Sequence, residues 1–368
     1  MPPREIEAIV KQDYCLGREF DHCILVCTDG NPNVIAFGNN GCGQCAVPTL
    51  PPRTLYVAAA TGRYHSVLLR DDGEAVAFGR NKHGECTVPE RPAGTRYIAA
   101  AAGDSLTVLL RDDGKAVILD DEHPGVVRIT HPADGAHFVD VAAGGCHVVL
   151  LQDDGRVVSK SVVEDENEET WAVPYPLGER YVAVAANNNE TIAIRSDGVA
   201  VAVVEDDENE LPTLCGIRIE NLEPIGSIWK RSFKLPDPAD GGSWIKVAAS
   251  IGAHHVILIS SNGNATALGR VLGGEPHIPI VDGLRYISAI VGQGFSVLVR
   301  SDRAAVEEGR NELGQLTIPD GTRCVIRQKL PLVVRYGIVI AWVARHSSFS
   351  RVSDACPHVQ QIMLMFIV

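Results

Sequence analysis

The chain has little from which to build a membrane span, an export signal or a disulfide framework. No run of 18 or more apolar residues occurs. The nearest, LPLVVRYGIVIAWVA at 330–344, is broken by Arg335, so no transmembrane helix is expected. The opening MPPREIEAIVKQDY lacks the apolar core of a secretory signal. Ten cysteines, at 15, 23, 27, 42, 45, 86, 146, 215, 324 and 356, follow no compact spacing. They read as mostly reduced thiols of an intracellular protein, cytoplasmic or nuclear. Positive charge is also short: 33 Lys and Arg face 46 Asp and Glu, a net charge of −13. That balance argues against direct binding of nucleic acid or an anionic membrane, and favours solubility or a basic partner. No Gly-x-Ser-x-Gly elbow, Walker loop or His-Glu-x-x-His is present, so no enzyme chemistry, cofactor or metal is expected.

What the chain has in abundance is turns. It holds 35 Gly and 21 Pro among 368 residues. One turn signal recurs: TDG ending at Gly30, DDG at Gly73, Gly114 and Gly155, SDG at Gly198, SNG at Gly263 and SDR at Arg303. The intervals are 43, 41, 41, 43, 65 and 40 residues. Each turn lies between apolar alternating runs, as in HSVLLRDDG (65–73) followed by EAVAFGRN (74–81). Gly in such a turn accepts the positive φ that a tight hairpin demands. A third run precedes these, RYIAAAAG (96–103) or RYVAVAAN (180–187), and its small residues suit a crowded strand near an axis. Each unit therefore has three clear strands and a weaker fourth. Seven such units of about 41 residues predict an all-β fold, a seven-bladed β-propeller over residues 1–325 followed by a C-terminal tail, 326–368.

The stretch GCGQCAVP (41–48) poses the sharpest question of chemistry, because Cys42 and Cys45 have the spacing of a redox pair or half a zinc site. The repeat answers it. GNNGCGQCAVP (38–48), GRNKHGECTVP (79–89), GRVLGGEPHIP (269–279) and GRNELGQLTIP (309–319) align without gaps. Cys45 then matches Cys86, Pro276 and Leu316, while Cys42 matches His83, Gly273 and Leu313. Both cysteines are expected to be structural. The His eight residues before the turn Gly is present as His22, His65, His147 and His255, but is Leu106, Glu190 and Phe295 elsewhere. It reads as a satisfied His at a blade corner rather than part of a metal ring.

The Gly-x-Asn-x-x-Gly-Gln segment followed by Tyr-Val-Ala-x-Ala-Ala-Gly-x-x-His-x-Val-Leu-Leu-x-x-Asp-Gly resembles the regulator-of-chromosome-condensation repeat, over roughly residues 7–325. The short period is similar to that of propeller-type β-lactamase inhibitors and of the propeller domains of HERC-type ubiquitin ligases. This resemblance implies a non-enzymatic protein-interaction propeller, an adaptor or substrate-recognition module, which as a HERC-like protein would have only the ligase's recognition half. It leaves two alternatives open: a guanine-nucleotide exchange factor for a small GTPase, and a propeller-type enzyme inhibitor. The partner is expected to be a protein, such as a small GTPase or a ubiquitin-ligase component, and the chain a monomer.

Departures from a repeat are where binding is usually built. The 65-residue interval places an insertion at about 206–243, which carries Trp229, Lys230, Arg231, Phe233 and Lys234, an aromatic–basic cluster in an acidic chain. Two acidic runs, VVEDENEE (162–169, with Glu164 and Asp165) and VVEDDENE (203–210, with Glu205 and Asp206), fall at similar places in successive repeats. These residues are the candidate partner-binding positions.

Overall fold

The structure is a computed structural model. It describes residues 5–7, 22–27, 34–120, 127–132, 135–162, 170–173, 179–205, 213–214, 217–218, 230–249, 255–269, 278, 283–292, 294–302, 305–309 and 323–324. The chain divides into two compact units, Met1–Ile326 and Arg327–Val368. The second lies outside the described residues. Among the described residues there is no helix, and no helix long and apolar enough to cross a membrane.

The first unit is a propeller of seven small antiparallel sheets in chain order. The first blade holds Glu5–Glu7, His22–Cys27 and Val34–Gly38, with Arg323–Cys324 added alongside Glu5–Glu7 in parallel. The second holds Tyr56–Thr61, His65–Arg70 and Ala75–Gly79. The third holds Tyr97–Ala102, Thr107–Arg111, Ala116–Leu119 and Val127–Thr130. The fourth holds Phe138–Ala143, His147–Gln152, Val157–Ser161 and Thr170–Ala172. The fifth holds Tyr181–Ala186, Thr191–Arg195, Ala200–Glu205 and Lys230–Lys234. The sixth holds Trp244–Ala248, His255–Ser260 and Ala265–Gly269, and the seventh Tyr286–Gly292, Phe295–Arg300 and Ala305–Gly309.

The recurring turn does three jobs, one per residue. The first residue ties down its own inner strand: Asp71 Oδ1 accepts the Leu55 N–H at 3.0 Å, Asp112 that of Arg96 at 2.9 Å, and the Ser196 hydroxyl that of Arg180 at 3.2 Å. The middle residue is held by the Arg two positions before it, as in Arg111–Asp113, Arg195–Asp197 and Arg300–Asp302. The hydrogen bond from Arg111, working against burial, holds the Asp113 carboxyl below its usual range. The Gly joins the next blade. Gly73 O accepts the Tyr97 N–H at 2.8 Å, Gly155 O that of Tyr181 at 3.0 Å and Gly263 O that of Tyr286 at 2.7 Å. Gly73 has φ +86, and a Cβ there would lie 2.7 Å from Arg96 Cβ of the next blade. Both the turn and the blade-to-blade seat therefore require glycine.

Each inner strand of blades two to seven opens on a buried aromatic: Tyr56, Tyr97, Phe138, Tyr181, Trp244 and Tyr286. Its polar tip reaches a carbonyl eight residues back where one is offered. Tyr56 Oη donates to Pro48 O (3.1 Å), Tyr97 Oη to Pro89 O (3.3 Å) and Trp244 Nε1 to Pro236 O (2.8 Å). A β-bulge follows each aromatic. The core lies between blades. Leu69 and Val67 of the second pack with Val117, Leu109 and Leu119 of the third, and Leu110 and Ile118 of the third pack with Val141, Val148 and Leu150 of the fourth. One blade alone cannot cover both of its faces, so neighbours must stack.

The weaker fourth strand has a structural explanation. The third, fourth and fifth blades, which lack the Gly-x-Asn-x-x-Gly-Gln/Glu segment, carry a paired outer strand. Among the described residues the first and second blades, which have the segment, carry turns in its place.

Candidate functional site

The residues that most suggest chemistry are committed to the scaffold. In the segment after the first blade, Gly43 has φ +85 and the turn closes through Gly43 N–H to Asn40 O at 3.0 Å. Asn40 Oδ1 accepts the Cys45 N–H (2.8 Å), and Gln44 Oε1 accepts the Cys42 N–H (2.8 Å). The second blade repeats this: Asn81 Oδ1 accepts the Cys86 N–H (2.9 Å), and Glu85 Oε2 the His83 N–H (2.8 Å). Glu85 is fully buried and paired with Arg80 at 3.0 Å. Arg80 in turn lies over the Tyr64 ring, 4.1 Å from its centroid. Cys45 Sγ donates to Asn39 O at 3.1 Å, and Cys86 Sγ to Arg80 O at 3.0 Å. Burial pushes the Cys45 thiol up to about 11; burial and then the Glu85 charge push Cys86 up to about 12. Neither is a nucleophile near neutral pH. Cys42 is exposed, and no cluster of metal-ligating residues occurs among the described residues.

The histidines form clasps between blades. His22 Nε2 lies 2.9 Å from Ser66 Oγ, His65 Nε2 2.8 Å from Thr107 Oγ1, His147 Nε2 3.2 Å from Thr191 Oγ1 and His255 Nε2 2.7 Å from Ser296 Oγ. In every case the hydroxyl belongs to the second strand of the next blade. Ser66 donates onward to Gln44 O at 2.8 Å and Thr107 to Glu85 O at 2.7 Å. Their oxygens thus accept from His22 and His65, which fixes the Nε2–H tautomer of both rings. Burial, and then the neighbouring His65, lowers the His22 pKa to about 3. Burial outweighs the opposing Glu85 charge and lowers His65 to about 4. Both rings are neutral at physiological pH.

A signal for these clasps is present in the sequence, but only across repeats. Where a blade has His, the next blade has Ser or Thr at the position one later: Ser66, Thr107, Thr191 and Ser296 follow His22, His65, His147 and His255. Where a blade has Leu106, Glu190 or Phe295, the corresponding residue of the next blade is Val148, Val256 or, around the ring, Cys23. Reading each repeat by itself finds the His and misses its partner.

The insertion is divided by the structure. Its last part is the outer strand of the fifth blade: Val201 pairs with Lys234, Ala202 with Phe233, Val204 with Arg231 and Glu205 with Lys230. Phe233 is 5% exposed and so serves the blade rather than a partner, and Lys234 Nζ pairs with Asp237 at 2.7 Å. The register sets Glu205, from one acidic run, opposite Lys230, from the basic cluster, so two stretches read as separate in the sequence are joined in one sheet. The extra chain thus spans 206–229, within which Thr213–Leu214 and Ile217–Arg218 form a small hairpin. Glu164, Asp165, Asp206 and Trp229 lie outside the described residues.

Residues 56–85 match the family model of the regulator of chromosome condensation (RCC1) repeat. No curated protein matches by sequence. Among solved structures, the Prp20p of Saccharomyces cerevisiae, described with its binding to Gsp1p and histones, is 14% identical with a TM-score of 0.58, covering 82% of this chain and 83% of that one. Yeast RCC1 (Prp20) bound to Kap60 is 15% identical, TM-score 0.56, covering 74% and 75%. The CRINKLY WD40 ectodomain of the Arabidopsis thaliana receptor kinase ACR4 is 14% identical, TM-score 0.53, covering 83% and 96%. At these identities the likeness concerns the fold.

Proposed function

We propose that this chain, a propeller of RCC1 repeats, is a non-enzymatic protein-interaction module, an adaptor or substrate-recognition unit. The observation that carries this reading is a division of labour. The described histidines of the repeat and the cysteines of its Asn-Gly segment hold blade to blade or close turns, whereas the chain's largest departure from the repeat, 206–229, leaves the third strand of the fifth blade and returns as its outer strand. A scaffold whose polar groups satisfy one another has its edges and inserted loops left for recognition. Trp229, Lys230, Arg231 and Lys234, with the acidic residues Glu164, Asp165, Glu205 and Asp206, are the proposed partner-facing positions; Phe233 anchors the strand that presents the cluster. A ubiquitin-ligase component remains a candidate partner.

The test compares the intact chain with one in which 206–229 is replaced by a short Gly-Ser linker, in pull-downs from native extract. The cut stops before Lys230 so that the outer strand is kept. Capture by the intact chain and loss from the trimmed one supports the loop as the site. Capture of the same proteins by both overturns it.

A second reading is favoured by the likeness to yeast RCC1 (Prp20), whose binding to Gsp1p is described with its structure. On this reading the chain is an exchange factor that stabilises a small GTPase without its nucleotide. Release of a fluorescent guanine nucleotide from a captured GTPase, accelerated by the chain, distinguishes it from a passive adaptor.

A further inference from the structure

The repeat is broken where the seventh blade meets the first. In blades two to seven the aromatic that opens the inner strand pairs with the residue three before the turn Gly or its equivalent. Tyr56 pairs with Arg70, Tyr97 with Arg111, Phe138 with Gln152, Tyr181 with Arg195, Trp244 with Ser260 and Tyr286 with Arg300. In the first blade the residue three before Gly30 is Cys27. The inner strand that the repeat predicts for this blade comes from the far end of the chain: DGTRCVI (320–326) aligns with AGTRYIA (93–99), which puts Cys324 at the aromatic position. Cysteine thus stands at both members of this pair in the first blade, and at neither member in the other six.

The structure holds the two segments level but one strand too far apart. Glu5–Glu7 lies against His22–Cys27, and Arg323–Cys324 lies beyond it. Ile6 pairs with Cys27 on one side and with Cys324 on the other. Glu5–Glu7 runs antiparallel to His22–Cys27 and parallel to Arg323–Cys324. Arg323–Cys324 therefore already runs antiparallel to His22–Cys27, with Cys324 level with Cys27. Two strand spacings put their Cα atoms about 10 Å apart, beyond the limit of about 7 Å for a disulfide. A step of one strand spacing, with no change of direction or register, brings them opposite each other. At the same place in the third blade, Tyr97 and Arg111 give their N–H groups to Gly73 O and Lys115 O rather than to each other. That is the closer kind of antiparallel pair, with about 4.5 Å between Cα atoms, which a disulfide can span.

The sequence also accounts for the strand found in that seat. At Gly73, Gly114, Gly155, Gly198 and Gly263 a Cβ would lie between 2.3 and 2.7 Å from the side chain of the residue before the next aromatic. The counterpart of that residue at the seam is Arg323, and the seventh turn has Arg303 in place of Gly. The seventh turn is therefore expected to seat an inner strand less well than the others, which leaves the edge of His22–Cys27 open to Glu5–Glu7. The linker from Pro319 to Cys324 is three residues shorter than that from Pro89 to Tyr97. It still suffices, because Pro89 O lies only one Tyr side chain from the inner strand, a gap that five residues cross.

We propose that Cys27 and Cys324 form a reversible disulfide that closes the ring, the strand around Cys324 taking the place of Glu5–Glu7 against His22–Cys27. The oxidant is a small-molecule disulfide such as oxidised glutathione. The thiolate of one cysteine attacks it, forms a mixed disulfide and releases one glutathione thiolate. The thiolate of the other cysteine then attacks the protein sulfur of the mixed disulfide and releases the second. Two protein thiols lose two electrons, one glutathione disulfide is reduced, and the two protons pass to the released thiolates. The chain thus has two closures: one through backbone pairing of its ends when reduced, and a covalent one when oxidised. This inference goes beyond the protein-interaction reading and stands or falls without it.

The experiment treats the intact, folded chain with excess oxidised glutathione, alkylates the remaining thiols, and maps linked peptides by mass spectrometry after digestion without reductant. A Cys27–Cys324 link is expected as the main cystine among the ten cysteines, and should be reversed by a reductant. Ile6→Pro, which removes a ladder donor from Glu5–Glu7, should speed its formation by at least about threefold by freeing the edge. In the unsubstituted chain, a Glu-specific protease should cut at Glu5 and Glu7 faster after oxidation than before, and Cys324→Ser should abolish that difference. Unlinked Cys27 and Cys324, linkage of either mainly to another cysteine, or equal yields from the folded chain and the chain in urea would overturn the pairing. A link that forms while Glu5 and Glu7 stay as protected as before would overturn the exchange of strands.

Discussion

The boundary between the second and third blades and the boundary between the third and fourth solve one packing problem in opposite ways. At the first, His65 reaches Thr107, Thr107 reaches Glu85 O, and Tyr97 Oη reaches Pro89 O. At the second, Leu106 stands for His, Val148 for the hydroxyl residue and Phe138 for Tyr, and the segment that would supply Glu85 and Pro89 is missing from the third blade. The outer strand Val127–Thr130 fills its place. All the polar members are lost together, and none is left half-paired. A buried polar group without its partner costs more than the bond contributes, whereas exchanging both partners for apolar ones of similar shape is close to neutral. That asymmetry explains why the members are lost together at this boundary, and boundaries differ: the fourth blade lacks the segment yet keeps the His147–Thr191 clasp.

Substitutions can break this comparison. The largest effect should come from the element both boundaries share. Gly73→Val forces a β-branched residue to φ +86 and against Arg96 of the next blade, and should destabilise by about 2–5 kcal/mol in chemical denaturation. An unchanged midpoint would refute the seat of the turn. Next, Thr107→Val leaves His65 Nε2–H buried without its acceptor, at a cost of about 1–3 kcal/mol. Adding His65→Leu, which copies the Leu106/Val148 arrangement, should restore more than half of that loss. Leu fits here because Leu106 lies against Gly103 as His65 lies against Gly62. A double variant worse than the single one would show that the boundaries are not interchangeable.

The same pair sharpens the comparison through pH. His22 and His65 titrate at about 3 and about 4 in the folded chain, against about 6.5 when unfolded. The unfolded chain therefore binds more protons below about pH 6.5. Stability is full above that value and is lost as pH falls toward about 4 and then about 3, with a slope of about 1.4 kcal/mol per pH unit for each His. His65→Leu/Thr107→Val should flatten the fall of melting temperature between pH 6.5 and 4; an identical slope would remove His65 as a source. The smallest effects test the Asn-Gly segment. Asn40→Ala removes the acceptor for Cys45 N–H and should cost about 1 kcal/mol. Cys42→Ser, at an exposed position, should stay within about 0.5 kcal/mol.

The architecture was legible in the sequence because its cause is local and repeated. An Asp-Gly turn between alternating runs specifies a hairpin wherever it occurs, and seven copies leave few folds to choose from. The structural role of Cys45 was legible by alignment of the repeats, and its thiol hydrogen bond to Asn39 O gives the reason. The His–hydroxyl clasp was half legible. His65 stands out within its repeat, but Thr107 acquires meaning only as part of the next one. The insertion was legible by length and not by content. Lys230, Arg231, Phe233 and Lys234 look like an interface cluster in composition, yet KRSFK also serves as an edge strand, and only pairing with Val201–Glu205 tells the two apart.

The parallel pairing of Glu5–Glu7 with Arg323–Cys324 has a consequence in time. A ribosome delivers the two partners more than three hundred codons apart, an interval of tens of seconds at about 5–20 residues per second. The middle blades can stack on one another as they emerge, since their contacts are with immediate neighbours. Glu5–Glu7 can pair with His22–Cys27 early, but its other edge waits until Arg323–Cys324 emerges. The nascent chain is therefore most open to chaperones, and to mispairing with another copy, at the blade that was made first.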